Sequence, residues 1–305
     1  MIVILDSVGR RQDWVDTTMT GGDDSWLATI PADAGRDPVL VRAGLRVHPG
    51  LRLGELVRRR PPGITGHQWN TASRTVLDLV VCAADTGRPG FAVEFRPPMP
   101  DAAGRRAERM MQAVTAAVGL PVLRITSATL RAAEHGPQIV GYVIDARRYA
   151  DGAAAGSELP DVGFRDIVGR LPDGRTGAVN DLGALARADA VEAYVARRLA
   201  DPILRGLHVQ WTDGPAEGWS WVEVRPGECL VERVSLHPYR ISCGVDPARL
   251  AEDLAALAIG DRLRTPEAAA PALRRREDLL DDIRRLRDRR DELVDGFGYD
   301  HLCEA

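Results

Sequence analysis

The clearest pattern along the chain lies between Thr75 and Thr126. TVLDLVVCAA (75–84) is β-branched and apolar on both faces, which predicts a strand buried in the middle of a sheet. DTGRPG (85–90) predicts a turn, and FAVEFR (91–96) a second strand stopped by Pro97 and Pro98. Asp101 to Val118 has helical spacing, with Met110, Val114, Ala117 and Val118 on one face and Gly119 as its cap. PVLRITS predicts a third strand, and IVGYVID (139–145) reads as a fourth. Upstream, MIVIL reads as a short buried strand, residues 16–36 as loops, and VLVRAGLRVHPGLRL as a lead-in to a strand.

Downstream the pattern changes. YADGAAAGSELP (149–160) is small and polar, as a linker is. Residues 189–199 predict a helix, and LHVQWTDG, WSWVEV and CLVERVSL predict antiparallel strands. Asp246-Pro247 is a helix start, with Leu250, Leu254 and Leu257 as the buried stripe. The last helix, 271–294, carries Leu279, Ile283, Leu286 and Leu293 on a coiled-coil-like seam, open either to dimerisation or to packing back on its own domain. The division expected is an N-terminal extension (1–37), an α/β domain (38–150), an α+β region of unknown role (151–265) and a charged C-terminal helix (266–305).

Composition narrows the chemistry. With 45% hydrophobic and 28% charged residues in 305, the chain has material for a core, and disordered or disulfide-scaffold classes are excluded. The net charge of −4 argues against a general polyanion binder but leaves room for a local basic groove. All 40 of the Lys-plus-Arg residues are Arg. The simpler account is a Gly-, Ala- and Arg-rich coding bias; selection against Lys-directed tagging is the other. Either way no Lys is present for a Schiff base, a phosphate loop or a nuclease site. Cys82, Cys229, Cys243 and Cys303 lack metal-site spacing and suit a reducing compartment. The opening apolar run is too short for a signal peptide, and no stretch reaches membrane-span length. Cytoplasmic location is therefore expected. Phosphate-binding glycine loops and serine-nucleophile motifs are missing. His208 and His237 stand alone, and Trp211, Trp219 and Trp221 read as core rather than as a binding patch.

Two acidic residues within the strands stand out. Asp78 sits inside an otherwise apolar strand, where a carboxylate is costly unless paired or bound to a cation. Glu94 and Arg96 share a face of the next strand. If the strands are neighbours, Asp78 and Glu94 converge as Mg²⁺ (or Mn²⁺) ligands and Arg96 faces a scissile phosphate. The opposing expectation is local pairing, with Glu94 salt-bridged to Arg96 or Arg124. Arg58, Arg59 and Arg60, with Arg105, Arg106 and Arg109, are candidate phosphate contacts for DNA; runs of Arg are also ordinary solvated faces.

LDLVV, AVEFRPP, RRAERMMQAV and GLPVLRI in this order resemble the PD-(D/E)xK, restriction-endonuclease-like nucleases. They are most similar to bacterial domains related to the very-short-patch repair endonucleases. The likeness spans about residues 40–128, with RVHPGLRLGELV as its lead-in. It implies an α/β fold with a mixed sheet flanked by helices. It also implies Mg²⁺-dependent phosphodiester hydrolysis in DNA, with Asp78 and Glu94 on the metal. The chain departs from the pattern at several places. Arg96 stands where the family has Lys or Asp, and no His follows. Ala107-Glu108 replaces the helix Arg-Asp, Met110 or Met111 its Lys, and Glu55 alone stands near the usual first-helix acid. Arg cannot serve as a base. The two functions in view are thus a metal-dependent nuclease and a catalytically inactive relative. The inactive relative would bind nucleic acid or protein, as a homodimer or with a partner through the terminal helix.

Overall fold

The computed structural model describes residues 26–31, 37–98, 102–154, 164–239, 245–264, 273–294 and 298–299. The expected MIVIL strand, residues 155–160 of the expected linker, Cys243 and Cys303 lie outside them. In chain order the elements are β1 (Leu40–Arg42), β2 (Leu45–Arg52), α1 (Leu53–Leu56), α2 (Gly66–Ala72), β3 (Val76–Ala83), β4 (Pro89–Arg96), α3 (Ala102–Val118), β5 (Val122–Ser127), α4 (Ala132–Ala154), β6 (Val168–Arg170), β7 (Thr176–Ala178), α5 (Ala184–Val195), β8 (Arg205–Gln210), β9 (Ala216–Arg225), β10 (Glu228–Tyr239), α6 (Pro247–Arg264), β11 (Arg274–Arg275), α7 (Arg276–Asp288) and β12 (Gly298–Tyr299).

Among the described residues, one mixed sheet runs β1-β2-β3-β4-β5-β10-β9-β8-β12, with β11 paired to β10; β6 and β7 form a separate ribbon. β4 and β5 are parallel, and the chain between them crosses over through α3, as parallel neighbours require. The other strand pairs are antiparallel. The architecture is mixed α/β, and no described helix is long and apolar enough to cross a membrane.

Helices cover both sheet faces. On one face α4 and α6 pack against β3, β4, β5, β9 and β10, with α5 beside α6. On the other, α1, α2 and α3 cover β2 to β5, and α7 covers Leu207, Trp219 and Trp221 of β8 and β9. The described part of the N-terminal extension joins this second layer: Leu27 and Ile30 are buried there, and Ala28 N–H donates to Leu56 O. The expected boundary near residue 150 is a boundary in sequence but not in the sheet, because β5 pairs with β10.

Local chemistry explains how these elements begin and end. Thr65 and Gln68 form a reciprocal cap on α2, at 3.2 and 2.8 Å. Asp246 Oδ1 accepts from Arg249 N–H at 2.8 Å at the start of α6. Gly119, at φ +73°, closes α3, and Leu120 N–H reaches Thr115 O at 2.9 Å. The buried residues of α3 are Met111, Val114 and Thr115; of the expected face, Val114 and Val118 pack on the core, Met110 is half-buried and Ala117 is exposed. Thr115 is polar yet fits, because its hydroxyl donates to Met111 O within the helix.

IVGYVID is not a fourth strand: it is the middle of α4. Residues 139–144 are buried nearly all round, and a short apolar run buried on every side carries no period to separate helix from strand. Residues 149–154 of the expected linker continue that helix. The C-terminal seam packs back on its own chain: Leu279, Ile283, Leu286 and Leu293 are buried against β8 and β9. Trp219 and Trp221 belong to the same core. Arg233 lies over the Trp219 ring, 3.6 Å from its centroid.

α6 lies so close to β9 that a Cβ at Gly218 would stand 2.0 Å from Glu252 N and 2.1 Å from Ala251 C. Gly218→Ala is expected to destabilise the fold by about 1–3 kcal/mol or more through overpacking, read as a lowered midpoint in urea. Asp253 on α6 is buried, and its Oδ1 accepts from Arg165 at 2.6 Å. Burial pushes its pKa from 3.8 up to about 7, against the pull of Arg165. The folded chain therefore takes up a proton between about pH 7 and 4 that the unfolded chain does not. This group's contribution to stability grows as pH falls through that window and is lost as pH rises through it. Asp253→Asn is expected to flatten the pH dependence of unfolding between those limits, measured by urea titration of both proteins.

Candidate functional site

The pairing of β3, β4, β5 and β10 lays a polar row across the sheet on the α3 side. Glu94 and Arg124 are direct partners in the parallel β4–β5 ladder, and Arg124 is the partner of His237 in β5–β10. The antiparallel β3–β4 ladder ends at Leu79↔Val93, one residue short of Asp78 and Glu94. Its end is capped by a side chain: Asp78 Oδ2 accepts from Phe95 N–H at 2.7 Å. Asp78 and Glu94 do lie on neighbouring strands, the condition for their convergence, yet each carboxylate is engaged within the protein.

Glu94 is fully buried. Its Oε1 accepts from Arg96 at 2.6 Å, and its Oε2 accepts from Arg124 Nε and a terminal nitrogen, both at 3.2 Å. Arg124, itself buried, also pairs with Glu108 of α3 at 2.6 Å. The result is a chain of alternating charge, Arg96–Glu94–Arg124–Glu108, from the sheet to the helix. Burial raises the Glu94 pKa above its ordinary 4.5, while Arg96 and Arg124 pull it back. Next in the row, burial and the Arg124 charge lower the pKa of His237 below 6.5. His237 is half-buried, and its Nδ1 has no hydrogen-bond partner among the described residues.

This arrangement is a poor fit to a shared Mg²⁺. The ion needs carboxylate oxygens and waters at about 2.0–2.1 Å. Both Glu94 oxygens already face guanidinium nitrogens, and Asp78 has one oxygen on a backbone N–H. Arg96 turns to Glu94, and its side chain is 43% exposed.

The six candidate phosphate-binding arginines are all exposed. Arg58, Arg59 and Arg60 lie between α1 and α2, and Arg105, Arg106 and Arg109 on the first half of α3, the helix that packs on α2. Arg59 stacks over the Trp26 ring at 4.8 Å. Arg52 and Arg74 add to the same segments and are exposed as well. Sequence reading missed the coupling of Arg124 with His237, because the partner strand arrives from the distant β10. His208 is not isolated either: it pairs with the buried Glu252. Neither described thiol is poised for nucleophilic chemistry; burial pushes Cys82 up to about 12 and raises Cys229.

Comparison of the chain with protein-family models, with curated proteins and with solved structures finds no match in any of the three.

Loss of Glu94 leaves Arg124 buried with half its partners. Glu94→Ala is expected to destabilise the protein by about 3–5 kcal/mol. Arg96→Ala, at the exposed end of the same chain of charges, is expected to cost about 0–1 kcal/mol. Urea unfolding of the two variants reads the contrast.

Proposed function

We propose that this chain is a catalytically silent nucleic-acid-binding protein built on a restriction-endonuclease-like sheet, acting on DNA in the cytoplasm. One observation carries the reading. Residues 52–74 and 102–118 hold eight arginines, all exposed, against two glutamates, in a chain of net charge −4. One of those glutamates, Glu108, is occupied by Arg124. Arginine forks match phosphate oxygens in pairs and stay charged at every working pH. A face this one-sided on an acidic protein is the electrostatic footprint of a polyanion partner.

The carboxylates of the resembling nucleases have a different role in this reading. Asp78 closes a strand end and Glu94 anchors an ion-pair chain, so the nuclease centre serves as scaffold. The buried free thiols Cys82 and Cys229 agree with a reducing compartment. The competing reading, a Mg²⁺- or Mn²⁺-dependent nuclease using Asp78, Glu94 and Arg96, requires a divalent ion to displace two guanidinium groups.

Fluorescence anisotropy with a short labelled duplex tests the proposal. Binding is expected to weaken steeply with salt. Arg58→Ala/Arg60→Ala, which leaves the Trp26-stacked Arg59 in place, is expected to reduce the log–log salt slope by about 0.9 for each phosphate left without its arginine. The same is expected of Arg105→Ala/Arg106→Ala/Arg109→Ala. Binding that neither variant weakens, or no binding at low salt, sinks the proposal. Incubation of plasmid with Mg²⁺ or Mn²⁺ is expected to leave it intact; cleavage abolished by Glu94→Gln would restore the nuclease reading.

A further inference from the structure

On the opposite face of the sheet, α4 begins beside the end of α6. Glu134 lies in the first turn of α4, His135 follows it, and Asp261 lies in the last turn of α6. One ligand atom from each lies within 4.8 Å of the other two. We infer that Glu134, His135 and Asp261 form a binding site for a divalent transition-metal ion of the Zn²⁺ class.

The distances suit an ion better than a hydrogen bond. His135 Nε2 is 3.7 Å from Asp261 Oδ1, too long for a direct bond. Two ligands about 2.0–2.2 Å from a common tetrahedral centre stand roughly 3.3–3.6 Å apart, close to this separation. His135 is buried, and its orientation is set from behind: Nδ1 lies 3.3 Å from Arg131 O. A proton on Nδ1 donated to that carbonyl leaves the Nε2 lone pair facing the two carboxylates, the usual support of a metal-bound histidine. The same Nδ1 lies 3.1 Å from Arg131 N, which donates to it in the opposite tautomer; a cation at Nε2 requires the tautomer with the proton on Nδ1.

Charge favours a cation. The buried Glu232 of β10 adds a third carboxylate nearby and interacts with Asp261. Of the nearby guanidinium groups, Arg131 is turned to the carbonyls of Leu130 and Ala128, at 3.0 and 2.7 Å. Arg262 stands 3.5 Å from Glu232. The negative pole of α6 points to the site, while the positive pole of α4 opposes it. The β5–α4 loop is held in place: Ser127 Oγ accepts from Thr129 and Leu130 N–H, and Thr129 Oγ1 donates to Glu232 at 2.8 Å. Two carboxylates and an imidazole suit Zn²⁺, Mn²⁺ or Co²⁺ over Mg²⁺, and three protein ligands leave a position for water. An ion here ties α4 to α6 across the β5–β10 junction.

Calorimetric titration of the full chain with Zn²⁺, with Mg²⁺ as control, tests the site. The Co²⁺ visible spectrum reports the ligand type. One Zn²⁺ per chain is expected, with a raised melting temperature and no heat from Mg²⁺. Glu134→Gln and Asp261→Asn are expected each to weaken Zn²⁺ by about tenfold or more. Both side chains reach solvent, so these near-isosteric changes keep the fold, checked by circular dichroism; His135→Gln is the third arm. Failure of the wild type to bind Zn²⁺ overturns the site. So does an affinity unchanged in Glu134→Gln and Asp261→Asn, or a Co²⁺ spectrum showing thiolate ligation.

Discussion

The antiparallel ladder between Val122–Ser127 of β5 and Val234–Tyr239 of β10 is the junction on which the rest of the molecule depends. It joins strands from the two halves of the chain into one sheet, and both the Glu94 ion-pair chain and the Glu134–His135–Asp261 cluster lie beside it. On one face it sets Arg124 between Glu94 and His237. On the other it brings α4 to α6 and His135 to Asp261. A strand pair of this separation in sequence forms only after a long loop is closed, so it gains its stability from the helices packed over both faces rather than from local contacts.

Charge inside this sheet is handled by pairing. A single carboxylate at the Glu94 position would be untenable in a buried strand; with Arg124 beside it in the ladder and Arg96 two residues on, it becomes an anchor. The same logic recurs on α6, where the buried Glu252 meets His208 and the buried Asp253 meets Arg165. Total absence of lysine bears on this design. Guanidinium groups bond two acceptors at once in a plane, which lets Arg124 serve Glu94 and Glu108 together. An ammonium at that position lacks the reach and the fork.

The two faces differ in their charges. The exposed arginines of α3 and of the segments around α1 and α2 share one side with the buried Glu94, while the buried Glu232, Glu252 and Asp253 lie on the side of α4 and α6. Because the sheet is shared, β5 and β10 contribute residues to both sides.

What the sequence determined alone was local. TVLDLVV and FAVEFR had to be buried strands, Asp-Pro had to start a helix, and Gly119 had to end one, because period, capping and backbone conformation act over a few residues. It left two outcomes open for Glu94, a shared ion with Asp78 or pairing with Arg96 or Arg124, and the structure shows the pairing. Tertiary structure decided the rest. Whether IVGYVID was strand or helix turned on burial from every side, which erases the period. Whether the terminal leucine seam met another chain or its own sheet turned on the apolar surface of Trp219 and Trp221 waiting for it. The fates of Asp78, His237 and His135 turned on which strand or helix arrives beside them. No local rule encodes that, because it is the packing of distant segments that brings the partners within bonding distance.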